Sequence, residues 1–126
     1  MNKTIINTPN APAPIGPYNQ AVLVNNMLFI SGQIPINVET NEVVTGDIGL
    51  ETHQSMRNIE AILTATGMNF NHVVKTTIFL SDMSLFAAVN EVYGSYFSAD
   101  YPARETVAVK GLPKGVNVEI SMTAAL

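Results

Sequence analysis

The chain contains no cysteine, which removes disulfides, thiolate nucleophiles and cysteine-held metals at once. Histidine is nearly as scarce. His53 and His72 are the two present, without His-x-x-x-His spacing, and this argues against a structural or catalytic metal. Charge is thin as well: Asp, Glu, Lys and Arg make up 13% of the 126 residues, against roughly 25% in an ordinary soluble domain. The cations Lys3, Arg57, Lys75, Arg104, Lys110 and Lys114 are scattered along a chain of net charge −4. They form no convincing patch of the kind that neutralises nucleic-acid phosphates, so no nucleic-acid partner is expected. No glycine-rich phosphate loop and no G-x-S-x-G elbow occurs. No long apolar run follows Lys3, as a secretory leader would require, and none reaches the length of a membrane span. The expectation is a cytoplasmic protein without a membrane partner.

What is present is apolar: 47% of residues, enough for one domain over residues 1–126 with its own core. Many apolar and few charged residues leave much uncharged surface, which burial in a closed homo-oligomer would cover. A monomer kept in solution by plentiful Asn, Thr and Ser is the alternative.

Periodicity outlines the elements. Pro9 to Pro17 resist regular structure. Ala21–Val24 and Met27–Ser31 read as strands around the Asn25-Asn26 turn. A polar loop follows, returning through Val43-Val44. Ile48, Thr52, Met56, Ile59 and Leu63 recur at helical spacing, with Gly67 at the helix end. Val73–Leu80 is a β-branched strand. Ser81-Asp82 offers an N-cap to a second helix carrying Leu85, Phe86, Val89, Val92, Tyr93, Tyr96 and Phe97. Strands from about Arg104 to Lys110 and from Val116 to Thr123 close the chain. The order is β-β-α-β-α-β-β, an α+β arrangement of a mixed sheet with two helices on one face.

Several residues could carry chemistry. Arg104, behind the rigid Tyr101-Pro102, suits a two-pronged carboxylate grip, and equally a surface or interface ion pair. Glu119 lies on the polar side of the last strand, where it could orient a water, or simply meet solvent. If the last two strands form a hairpin of odd residue sum, Thr106 faces Glu119, Arg104 faces Ser121 and all share one side; an even sum breaks this. Tyr18 on its proline-rich loop could wall a pocket or pack in the core. Ser31 and Gly32 end a strand where a ligand could approach the backbone, and where a bulge or turn fits as well. Asn90 stands beside the apolar stripe of the second helix. His53 is expected at the surface of the first.

The segments IGPYNQA, ISGQIP, VVKTTIFLSDM and PARETVAVKGLPKGVNVEI, in this order and spacing, resemble the RidA (YjgF/YER057c/UK114) family from Ile15 to the C-terminus. The resemblance implies a chorismate-mutase-like fold and a homotrimer whose sheets form a central barrel, with clefts between subunits. It implies hydrolysis of reactive 2-imino and 2-enamino acids to 2-oxo acids and ammonia, without a cofactor. The family's carboxylate-binding arginine matches Arg104 and its water-positioning glutamate matches Glu119. Its pocket tyrosine matches Tyr18, its Ser-Gly pair Ser31 and Gly32, and its helix asparagine Asn90. Two positions depart from the deaminase pattern: Thr106 stands where a cysteine is frequent, and Glu105 where a small residue is usual. On strand alternation Glu105 points away from Arg104. The other reading the resemblance leaves is a trimer that binds small carboxylates, or a regulatory or chaperone-like partner, without turnover. The family's older description as ribonucleases or translation inhibitors fits this acidic chain poorly.

Overall fold

A computed structural model describes all 126 residues. The strands Ala21–Val24 (β2) and Met27–Gln33 (β3) form the expected hairpin. Asn25 and Asn26 take φ of 49° and 62°, the left-handed pair that a two-residue turn between twisted strands requires. A short strand, Thr4–Ile6 (β1), adds to β2; its three residues give no readable periodicity. The polar loop holds a small ribbon of its own, Ile36–Asn37 (β4) against Glu42–Val43 (β5).

The first helix, Ile48–Ala65 (α1), starts where the Asp47 carboxylate accepts the Leu50 N–H at 3.1 Å. It ends at Gly67, whose φ of 75° lets the Gly67 and Met68 N–H groups reach the Thr64 and Leu63 carbonyls at 3.0 and 2.9 Å. Val73–Leu80 (β6) follows. Asp82 caps a 3-10 turn over Met83–Leu85, which leads into Phe86–Gly94 (α2). This helix stops earlier than its apolar stripe suggests, at Gly94-Ser95, a pair of modest helix formers. Tyr96 and Phe97 lie beyond its end, and Phe97 is still buried, its ring centroid 4.9 Å from that of Tyr93. His53 is half-buried rather than superficial: its Nδ1 lies 2.9 Å from the Tyr96 hydroxyl.

The last strands are Ala103–Ala108 (β7) and Val118–Ala125 (β8). They do not form a hairpin. The main sheet has the order β1-β2-β3-β8-β6-β7, so β6 separates them. β7 runs parallel to β6, and β8 antiparallel. The reason is the connection: β6, α2 and β7 form a crossover unit, which places its second strand parallel to the first.

Both helices lie on one face of this mixed sheet. Met56, Ile59, Ile62 and Leu63 of α1 join Leu28, Ile78, Leu80, Val118 and Ile120 in one core, all fully buried. Each such side chain contributes about 1.5–3 kcal/mol by leaving water. The opposite face has no helix, and Phe29 and Val107 stand open there, 48% and 43% exposed.

The proline-rich segment is tied down by Gln20. Its amide donates to the Thr8, Ala11 and Pro12 carbonyls at 3.0, 3.2 and 2.9 Å and accepts from the Thr8 N–H at 2.6 Å. Gln20→Ala leaves these buried groups unsatisfied. Urea unfolding is expected to show a loss of about 1–3 kcal/mol, with faster amide exchange at residues 8 to 18.

Candidate functional site

Glu119 stands over Gly32. A methyl group built at Gly32 would lie 2.7 Å from the Glu119 Oε2 and 2.8 Å from its Cδ, so the carboxyl occupies the space of the missing side chain. The backbone there is irregular: the β3–β8 ladder shifts register between Ile30 and Gln33, which sets Ser31 and Gly32 out of regular pairing. Burial pushes the Glu119 carboxyl above the usual carboxylate range. Ile15, Tyr18, Ser31, Gly32, Pro113 and Glu119 line a cleft of about 450 Å³ at this point.

Within this cleft the polar groups differ in what they can still offer. The Tyr18 hydroxyl accepts the Ile15 N–H at 3.2 Å, which leaves its own proton free to donate. Ser31 donates its hydroxyl to the Asn19 carbonyl at 2.6 Å, so toward the cleft it can only accept. The walls are anchored from behind by α1. Asn58 donates to the Ile34 and Ile36 carbonyls at 3.2 and 3.0 Å. Asn117, two residues before Glu119, donates to the buried Glu51 carboxylate at 3.2 Å.

Arg104 belongs to a second constellation. Its guanidinium carbon lies 5.0 Å from the Tyr93 ring centroid and 5.7 Å from that of Phe86, within cation–π range of both. The one ion pair of the chain is Lys75 with Glu105, at 2.8 Å, so Arg104 has no carboxylate partner. Thr106, two residues along the same strand face, has a buried Oγ1 without a hydrogen-bond partner, a condition that costs about 1–3 kcal/mol when left unmet. Asn90 falls between Phe86 and Tyr93 on one face of α2, at spacings of four and three residues.

These two groups do not meet within one chain. Thr76 of β6 pairs with Arg104 on one side and Met122 on the other; Phe79 pairs with Val107 and Glu119. Thr76 and Phe79 are an odd number of residues apart, so Arg104 and Thr106 face the helices while Glu119 faces the open side. The hairpin register in which Arg104, Thr106, Glu119 and Ser121 share one side is therefore overturned. Glu105 does point away from Arg104. It pairs with Lys75 and accepts from Thr77 Oγ1, and these contacts hold its carboxyl below the usual range. Phe86 and Tyr93 read as core stripe in the sequence and turn out to flank Arg104. Their spacing marks one face of α2 and does not distinguish a core stripe from a cradle for a cation. No three His, Asp or Glu side chains converge as metal ligands.

Among known proteins, the family model for endoribonuclease L-PSP matches residues 8–126. A RutC family protein of Pyrococcus horikoshii is 52% identical over 122 residues, covering 97% of each chain. A 2-iminobutanoate/2-iminopropanoate deaminase of Dermatophagoides farinae is 49% identical over 118 residues, covering 94% of this chain and 92% of its own. A crystal structure of a Rid family protein from Yersinia pestis superimposes with a TM-score of 0.97 at 45% identity, over 99% of this chain and all of the other.

The perturbed carboxyl makes stability depend on pH. In the folded state Glu119 keeps its proton above the pH at which the unfolded chain loses it. Folded molecules hold more protons in that window, so this group's contribution falls as pH rises through it and stays low above. Glu119→Gln is expected to flatten this part of the stability profile, read by urea unfolding between pH 4 and 7, as roughly bounded by ordinary carboxylate values.

Proposed function

Since the chain belongs to the endoribonuclease L-PSP family, which includes the RutC and Rid proteins, we propose that it hydrolyses reactive 2-imino and 2-enamino acids to 2-oxo acids and ammonia. The observation that carries this reading is the division of labour between the two faces of the sheet. One face presents an arginine with no carboxylate of its own. The other presents a carboxyl of raised pKa beside a free tyrosine hydroxyl in a cleft. A small carboxylate with an electrophilic carbon needs both.

The site is completed by a second copy of the chain. The open face, where Phe29 and Val107 stand exposed among Thr77, Ser121, Thr123 and the Lys75–Glu105 pair, suits burial in a homotrimer whose sheets enclose a barrel. Adjacent subunits then bring Arg104, Thr106 and Asn90 of one chain to Glu119, Tyr18, Ser31 and Gly32 of the next. Arg104 grips the substrate carboxylate through its fork of N–H groups, and Thr106 and Asn90 add hydrogen bonds. Water held by Glu119 adds to the imine carbon, and its proton passes to nitrogen through the glutamate. Collapse of the adduct expels ammonia and leaves the 2-oxo acid. The raised pKa, set by burial, suits Glu119 to taking and returning a proton. Tyr18 donates to the adduct's oxygen as charge develops there. No cofactor is required, and the acidic chain offers no patch for nucleic acid.

Support for the activity comes from the deaminase relative at 49% identity; relatives that carry only the RutC name leave the preferred imine to experiment. The test generates 2-iminobutyrate in place from L-threonine with a threonine dehydratase and follows its capture by semicarbazide. The wild-type protein is expected to lower capture. Arg104→Ala should abolish this, and Glu119→Gln should slow turnover about 10²-fold while still binding 2-oxobutyrate. If the wild type changes nothing, with this imine or with imines from other amino acids, the reading gives way to a non-catalytic carboxylate-binding trimer. Sedimentation equilibrium is expected to give three times the mass of one chain, and a monomer in the micromolar range would remove the shared site.

A further inference from the structure

Arg104 is held without being neutralised. Within the chain its guanidinium rests against two aromatic rings, at 5.0 Å from the Tyr93 centroid and 5.7 Å from the Phe86 centroid. The rings come from one face of α2, about two helical turns apart. Tyr93 is itself fixed. It is 4% exposed, and its hydroxyl donates to Thr76 Oγ1 at 2.9 Å. Thr76 is fully buried and is the residue of β6 directly paired with Arg104. The loop is thus closed: strand partner, tyrosine hydroxyl, tyrosine ring, guanidinium. Burial pushes the Tyr93 phenol up, so the hydroxyl keeps its proton for Thr76 throughout the neutral range.

An arginine can be kept still in two ways. A carboxylate would take up its fork and leave nothing for a ligand. An aromatic face attracts the cation from above and leaves the in-plane N–H groups free. The chain has carboxylates to spare, with Glu105 next in sequence, and strand alternation sends that one to the opposite face, against Lys75. On Arg104's own face the buried Thr106 Oγ1 is a second polar group without a partner.

We propose that Tyr93 is the positioning residue of the carboxylate grip: tethered through Thr76 to Arg104's neighbouring strand, its ring, with that of Phe86, holds the guanidinium in a charged, uncompensated pose that selects an anionic head group. This rests on the reading that Arg104 binds the substrate carboxylate, and it adds what gives that arginine its selectivity. Tyr93 touches no reacting atom, so its loss should act on binding of the charge and leave the proton transfers at Glu119 in place.

The test measures dissociation constants of the assembled protein for 2-oxobutyrate and for the uncharged 2-oxobutyramide of nearly the same shape. Wild type should prefer the acid. Tyr93→Leu removes the ring and is expected to weaken acid binding about fivefold to tenfold, the scale of a partly desolvated cation–π contact, with the amide little changed, so that the ratio narrows. Tyr93→Phe keeps the ring and loses the Thr76 tether; it should fall between the two. In the imine assay Tyr93→Leu should raise KM by the same factor and leave kcat within about twofold, as loss of uniform binding requires. If Tyr93→Leu does not fold, Phe86→Leu, at a half-buried position, gives the same acid-to-amide comparison. Equal weakening of acid and amide, or no change in either, overturns the positioning role. Failure of the wild type to bind the acid at all overturns the carboxylate reading itself, and this inference with it.

Discussion

The arrangement of chemistry in this chain depends on the pleat of three adjacent strands. β6 lies between β7 and β8, and each of its residues sets the side on which its two neighbours present their side chains. Because Arg104 pairs at Thr76 and Glu119 at Phe79, one must face the helices and the other the open side. A one-residue slip of β8 would turn Glu119 to the helix side, the side of Arg104. It would also turn Ile120 and Met122 out of the core, so hydrophobic burial protects this register and the register sets where the carboxyl stands. The placement of Arg104 and Glu119 on opposite faces is therefore imposed by the same contacts that hold the domain together.

Support behind the cleft comes from polar residues that a helix buries at some cost. Glu51, Thr52, Ser55 and Asn58 of α1 are all buried. Thr52 returns its hydroxyl to the Ile48 carbonyl at 2.8 Å. Asn58 and Glu51 reach outward, to the Ile34–Ile36 segment and to Asn117. These ends lie just after Gly32 and just before Glu119. The helix thus braces both sides of the carboxyl through directional bonds, which specify position more sharply than apolar packing does.

Most of the fold was legible because most of it follows period and punctuation. The asparagine turn at residues 25 and 26, the stripe of α1 with its aspartate and glycine ends, and the β-branched run of β6 each state their structure locally. The family motifs then supplied the architecture that local signals lack. What sequence could not give was the neighbour of the last strands. A short connection between β7 and β8 suggests a hairpin, yet α2 had already placed β7 beside β6. Pairing is a property of the whole sheet, and strand patterns alone do not order it. The cradle of Phe86 and Tyr93 was hidden for a related reason. Helical spacing marks a face as apolar without saying whether a core or a cation will lie on it.

The closeness of Gly32 and Glu119 also bears on how such a chain can change over time. A side chain at position 32 would need the space that the carboxyl fills. Any replacement of the glycine therefore swings the flexible carboxyl out of its place. The fold can accept such a change while the placement of the acid is lost. Where a descendant carries a larger residue at 32, a glutamate at 119 no longer stands where it stands here, and its presence in the sequence does not by itself record a working carboxyl.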